Sequence, residues 1–250
     1  MLLLAIDTAT LTASAAVVEL PDEGEGFTVR AAGDVVTQTA GHGERLVPHL
    51  DALLAGAGLS LAAIDAFAVG AGPGSFTGLR IGLATAKGLA FATGRPLWLA
   101  SSLAALAWDL AAAAPGFDGL LVPALDARRA ELYAGFYRRQ GDTVVALAPE
   151  RVLPPAALAG ALDDLGDAGA GDGLIAGDAL VVHADALAAL PARIVRRPDS
   201  RATPSALAVA MVAARGPRLD AIAHGAPTYI RPSEAEVKYP DGVPGALRRR

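Results

Sequence analysis

Apolar positions come first as short runs, at residues 2–6 and 13–20, split by the polar turn Asp7-Thr8-Ala9-Thr10. An acidic, glycine-rich stretch at 22–26 separates them from a third run at 27–36, so the opening third reads as an antiparallel meander of three strands. The spacing then changes. Leu46, Leu50, Leu53, Leu54 and Ala57 recur at helical intervals, predicting a helix over 44–57 stopped by Gly58. A buried strand is expected at 66–69. The Gly/Pro loop 70–75 follows, opening a long helix over 76–93 that Gly94 closes. Residues 96–100 form a strand, and 101–113 a helix capped by Ser101 or Ser102.

The same order then repeats. Strands are predicted at 120–125, 131–138 and 143–148, with Gln140-Gly141-Asp142 as a hairpin turn. A helix over 154–165, a strand at 173–176, a helix over 179–190, a strand at 192–196 and a helix over 204–215 complete the unit. A β-β-β-α-β-α-β-α pattern used twice is the layout of an α/β chain with the duplicated actin-like/sugar-kinase/Hsp70-type (ASKHA) fold, two mixed-sheet halves facing each other. The expected organisation is an N-terminal half at 1–100, a smaller second half at 101–224 and a tail at 225–250. Fold alone says nothing of activity.

Composition narrows the classes. The 250 residues carry 21 Lys+Arg against 26 Asp+Glu, a formal charge of −5, and only Lys87 and Lys238 among the cations are lysine. An acidic chain without a basic stripe is poorly suited to holding nucleic acid alone. Arg248, Arg249 and Arg250 read as a solvated terminus. With no cysteine, disulfides, Cys-ligated zinc, iron–sulfur clusters and thiol nucleophiles are excluded. The longest uncharged apolar stretches, 52–64 and 96–108, fall well short of the roughly 20 residues that span a membrane. Asp7 interrupts the first apolar run and no basic segment precedes it, so the expectation is no secretory leader and a cytoplasmic location.

Candidate chemistry is sparse. The turn Asp7-Thr8-Ala9-Thr10 sits where phosphotransferases of this fold carry Asp-x-Gly-Thr, but Ala9 replaces the glycine that lets backbone approach a phosphate. The matching turn of the second half, Asp126-Ala127-Arg128-Arg129, has no glycine, and an adenosine loop has only Gly171, Gly173 and Gly177 to draw on. These read as ordinary turns, and independent ATP hydrolysis is not expected. Gly72-Pro73-Gly74-Ser75-Phe76-Thr77-Gly78-Leu79-Arg80-Ile81-Gly82 runs from a strand into a helix, where backbone N–H groups could hold an anion. Asp7, Thr8, Gly74 and Ser75 are therefore the candidate nucleotide or anion loop. Gly78, Gly82 and Ala86 form a small-residue stripe that suits close helix packing, inside the chain or against a partner.

His42, His49, His183 and His224 contain no pair three or four apart, so no metal is expected. Ser75 is out of frame for a nucleophile elbow. Glu44 fits the first turn of its helix, and Arg128, Arg129, Glu131 and Tyr133 fit a half-solvated hairpin. No catalytic residue and no cofactor emerges.

Four stretches together carry a resemblance: Leu3-Leu4-Ala5-Ile6-Asp7-Thr8-Ala9-Thr10, residues 72–82 continuing to Lys87-Gly88, Asp126-Ala127-Arg128-Arg129-Ala130-Glu131-Leu132-Tyr133, and Pro227-Thr228-Tyr229-Ile230-Arg231-Pro232. The chain resembles the TsaB (YeaZ) family, the dimerisation subunits of the bacterial machinery for threonylcarbamoyladenosine in tRNA, from residue 1 to about Tyr239. The resemblance implies the duplicated actin-like fold and a paralogue of the catalytic subunit TsaD, which holds a metal through a His-x-x-x-His pair absent here. It implies a non-catalytic subunit that pairs with TsaD and the ATPase TsaE, forms a homodimer in isolation, and meets tRNA only through the complex. Pairing in that family runs through helices of the N-terminal half, carried over here to Leu46, Leu50, Leu53 and Leu54 and to Gly78, Ile81, Gly82 and Thr85. On that expectation, Gly82→Arg or Leu50→Arg removes pairing and leaves the monomer folded. Residues 240–250 match nothing in the family, and 163–173 is expected to be irregular. The competing readings are an ATP-dependent phosphotransferase or metallopeptidase of the same fold, and a general dimeric scaffold.

Overall fold

The computed structural model describes residues 1–21, 26–36 and 42–231. Residues 22–25, 37–41 and everything from 232, with the three final arginines, lie outside them. Strands β1 (Leu2–Asp7), β2 (Thr12–Glu19), β3 (Thr28–Val36), β4 (Ala66–Gly70) and β5 (Leu97–Ala100) form one sheet in the order β3-β2-β1-β4-β5. β1, β2 and β3 pair antiparallel, whereas β4 and β5 join parallel to β1. Helix α1 (His42–Gly56) leads to β4, α2 (Phe76–Thr93) links β4 to β5, and α3 (Ser102–Ala112) follows β5. The second sheet repeats the plan with β6 (Leu120–Arg128), β7 (Glu131–Gln140), β8 (Thr143–Leu153), β9 (Gly173–Ala176) and β10 (Ile194–Arg196), in the order β10-β9-β6-β7-β8. β6 takes the place of β1, and the fold is the duplicated α/β fold expected.

Local chemistry explains the helix ends. Ser75 caps α2, its side chain accepting from Gly78 N at 3.2 Å, and Gly94 closes it in the left-handed region at φ 65°. Ser101, not Ser102, caps α3 by accepting from Ala104 N.

The second half departs from the expected pattern. The helix over 154–165 is a 3-10 turn at Pro155–Ala157 followed by the short α4 (Leu158–Asp163). The helix over 179–190 divides into α5 (Ala179–Val182) and α6 (Ala184–Leu187) at His183, whose ring reaches Asp126 instead of continuing the helix. The closing helix, α7 (Ala206–Arg215), belongs to the second half in sequence yet packs on the first sheet. Its Ala206, Val209, Ala210 and Ala213 share a core with Leu3, Ala5, Ala16 and Ala68. Conversely, Leu103, Leu106 and Leu110 of α3 pack against Leu121, Leu125, Tyr137 and Leu174 of the second sheet. These two helices touch one another between the sheets and tie the halves together.

The chain beyond α7 returns to the first sheet. Ala221 N donates to Leu97 O (2.7 Å) and Thr228 N to Ala71 O (2.7 Å). Its last described residue, Arg231, then reaches the β6–β7 hairpin, donating to Ala127 O at 2.6 Å. Among the described residues, no helix is long and apolar enough to cross a membrane.

Candidate functional site

β1 ends at Asp7, with no exposure. Its Oδ1 accepts from Ala9 N (2.8 Å) and its Oδ2 from the Ser102 hydroxyl (2.7 Å). Burial pushes this carboxyl up to about 6, against the pull of those two donors. Gly70 stands so close that a Cβ there would lie 1.9 Å from Asp7 Oδ2.

Thr8 is equally enclosed. Its hydroxyl donates to Gly78 O at 2.8 Å. A Cβ on Gly78 would come within 2.1 Å of Thr8 O, and one on Gly82 within 2.1 Å of Thr8 Oγ1. Ser75 N donates to Ala9 O (2.7 Å), and a Cβ on Gly74 would sit 2.4 Å from that same oxygen. The structure thus brings Asp7, Thr8, Gly74 and Ser75 together, but against one another. The close backbone approach that glycine permits is used to seat α2 on the turn after β1. The carboxylate and the Ser75 amide already have protein partners.

The second half shows the same economy. Asp126 Oδ1 accepts from Arg128 N (3.0 Å) and meets His183 Nε2 at 3.1 Å, and Asp178 Oδ1 accepts from Asp126 N (2.7 Å). Burial pushes Asp178 up to about 6. The hairpin tip is a run of left-handed residues, Arg128, Arg129 and Ala130 at φ 61°, 54° and 58°, each costing on the order of 1 kcal/mol in an L-residue. Arg231 braces it through Ala127 O and Glu131. Gly177, a candidate for the adenosine loop, instead packs on β6: its Cβ would lie 1.8 Å from Ala124 O. Gly173 lies within β9, facing Ile194 and Leu120. Among the described residues, no three His, Asp or Glu side chains group as metal ligands.

The expected interface residues divide. Leu46, Leu50 and Leu54 are at most 5% exposed and pack in the core with Leu4, Ile6, Val17 and Phe67. Gly78 and Gly82 are buried against Thr8. These five face inward and belong to the monomer's own packing. Leu53, Ile81 and Thr85 are half-buried. Leu50→Arg and Gly82→Arg are therefore expected to disturb the monomer itself, because one buries a charge and the other drives a side chain into Thr8.

The stripe that faces outward is another one. Ala84, Gly88 and Ala92 share the spacing of four, are all exposed, and adjoin Phe91, which is 80% exposed. A Cβ on Gly88 would meet nothing within 4 Å. Two out-of-phase stripes of small residues run along α2, and the internal one is that packed on Thr8 and the core of the first sheet.

Comparison with known proteins agrees with this architecture. The family described as TsaD: tRNA N6-adenosine threonylcarbamoyltransferase matches residues 36–187. A solved structure of YeaZ from Pseudomonas aeruginosa is 31% identical with a TM-score of 0.70, covering 91% of this chain and 99% of that one. Another from the same organism, described as having similarity to peptidase YEAZ, is 33% identical with a TM-score of 0.73, covering 92% and 99%. The tRNA threonylcarbamoyladenosine biosynthesis protein TsaB of Escherichia coli is 37% identical over 147 residues, 58% of each chain. With sheet order, glycine contacts and these likenesses in agreement, the chain belongs to the TsaB/YeaZ family, within the wider TsaD family.

Proposed function

We propose that this chain is a non-catalytic subunit of tRNA threonylcarbamoyladenosine biosynthesis. It pairs with TsaD, and with TsaE, so that TsaD transfers the threonylcarbamoyl group to the adenosine beside the anticodon, and tRNA is met only through that complex. One observation carries the reading. The turn after β1, where a phosphotransferase of this fold would cradle a phosphate, is filled by Gly74, Gly78 and Gly82 of its own chain. An apolar face of α2 is left uncovered instead, with Phe91 at its lower end. Both oxygens of Asp7 accept from protein donors, which supports a structural role for it. The kinship with TsaB and with the transferase family supplies the reaction. The pairing face is the outer side of α1 and α2, the proposed work of the chain is done in the cytoplasm, and no cofactor of its own is required.

The test is threonylcarbamoyl transfer to tRNA by TsaD, TsaE and the donor-forming enzyme, with and without this chain. Transfer that depends on the chain supports the reading. Equal transfer without it overturns the reading in favour of a general scaffold. ATP hydrolysis or peptide cleavage by the purified chain alone would overturn the non-catalytic part.

A further inference from the structure

α7 lies on the face of the first sheet opposite α1 and α2. Leu3 and Ala5 of β1 share its core, whereas the alternate residues Leu4 and Ile6 point to α1 and α2. One flank of α7, with Met211, Ala214 and Arg215 at helical spacing, stays partly open. Beside it, Leu20 follows β2 and Phe27 precedes β3. Together with Arg218 these residues line a hollow of about 130 Å³, of the size that takes a single benzene ring. Leu20, Phe27, Met211 and Ala214 make its wall apolar, and among the described residues only Arg215 and Arg218 bring charge to it.

Each guanidinium rests on an indole. Arg215 Cζ lies 4.7 Å from the ring centre of Trp108, and Arg218 Cζ 5.3 Å from that of Trp98. Stacking of this kind holds the planar cation in place and leaves its N–H edge free to donate. Arg218 spends one donor, Nε, on Ala214 O at 2.8 Å, and it does so from a left-handed backbone, φ 51°, that an L-residue adopts at a cost. Both arginines are exposed, and among the described residues neither pairs with a carboxylate. Glu19, next to Leu20 in sequence, is paired instead with Arg30 at 2.9 Å. Two fixed cations without a counter-charge thus stand at the rim of an apolar hollow, in a chain whose formal charge is −5.

We propose that this hollow binds a compact amphiphilic anion, its aromatic or short aliphatic body against Leu20, Phe27 and Met211 and its carboxylate held by Arg215 and Arg218. A carboxylate is the planar acceptor that a guanidinium fork matches with two parallel N–H bonds. The same chemistry is offered by a free aryl carboxylate and by the C-terminal residue of a peptide. The inference does not depend on the pairing with TsaD, since the hollow and the outer side of α1 and α2 lie on opposite faces of the first sheet.

Isothermal titration calorimetry of the full chain tests this, with phenylacetate, phenylacetamide, and a short acetylated peptide ending in phenylalanine, as its free acid and as its amide. Trp98 and Trp108 are the chain's two tryptophans, so their emission reports whether binding is at this hollow. At least one of the two acids is expected to bind and to shift that emission, while its neutral amide binds at least roughly tenfold more weakly. Arg215→Gln and Arg218→Gln, with melting curves matched to wild type, each weaken the acid roughly tenfold, and rising salt weakens it as well. Tighter binding of phenylacetate supports the proposal with a free small molecule as ligand, and tighter binding of the peptide acid supports it with a chain terminus. No saturable binding of either acid up to roughly 10 mM overturns the proposal. So does equal binding of acid and amide, binding that leaves the tryptophan emission unchanged, or variants that bind like the wild type.

Discussion

Asp7 has the position of a catalytic carboxylate and the surroundings of a structural one. It is fully buried, with Ser102 and Ala9 N as its donors and, among the described residues, no cation paired with it. The folded chain binds its proton up to about pH 6, whereas an ordinary aspartate releases it near 3.8. The folded state therefore holds more protons than the unfolded one between those values, and stability from this group falls as pH rises through that window. Above it the charged form costs on the order of 3 kcal/mol. Asp7→Asn keeps an acceptor for Ala9 N and lets the Ser102 hydroxyl accept in turn. We expect it to raise the melting temperature at pH 7.5 by several degrees, from about 1–3 kcal/mol of added stability, and to flatten the dependence between pH 4 and 6. A catalytic or metal-binding demand on Asp7 would be revealed by lost transfer activity in this stabilised variant. Little of this was legible beforehand: the Asp7 turn stands out in the sequence, but the hydroxyl that holds it is 95 residues away.

At the scale of elements, α2 shows how far local signals reach. Ser75 and Gly94 mark both of its ends, and the helix runs as the spacing predicts, Phe76–Thr93. Its orientation is another matter. Gly78, Gly82 and Ala86 are equivalent in spacing to Ala84, Gly88 and Ala92, and the buried set is the one that meets distant partners, the Thr8 turn for the two glycines and the core with Leu4, Ile6 and Val69 for Ala86. The two glycines at the same spacing class thus have opposite fates. Gly82→Ala forces a methyl to within 2.1 Å of Thr8 Oγ1 and is expected to destabilise by at least about 2 kcal/mol. Gly88→Ala meets open space and gains helix propensity, a stabilisation of up to about 1 kcal/mol. Denaturant unfolding of the pair checks both signs. At His183, too, the helical periodicity is continuous in sequence, and the break coincides with a contact to Asp126, 57 residues away.

Over the whole molecule, the duplication was readable because each half repeats the same order of strand and helix patterns. What pattern could not reveal is that each closing helix serves the other sheet, α3 the second and α7 the first. Both helices are mostly alanine and leucine, and nothing in such a sequence names the surface it will cover. This crossing, with the return of the chain to Leu97, Ala71 and the 127–131 hairpin, fills the space between and around the halves from within. The proposed pairing face is the outer side of α1 and α2, and the account stands or falls on it. The most direct measurement is threonylcarbamoyl transfer by TsaD and TsaE in the presence of the Gly88→Arg chain, its melting curve matched to wild type. The account predicts a folded protein that no longer supports transfer; full support by that variant would contradict it.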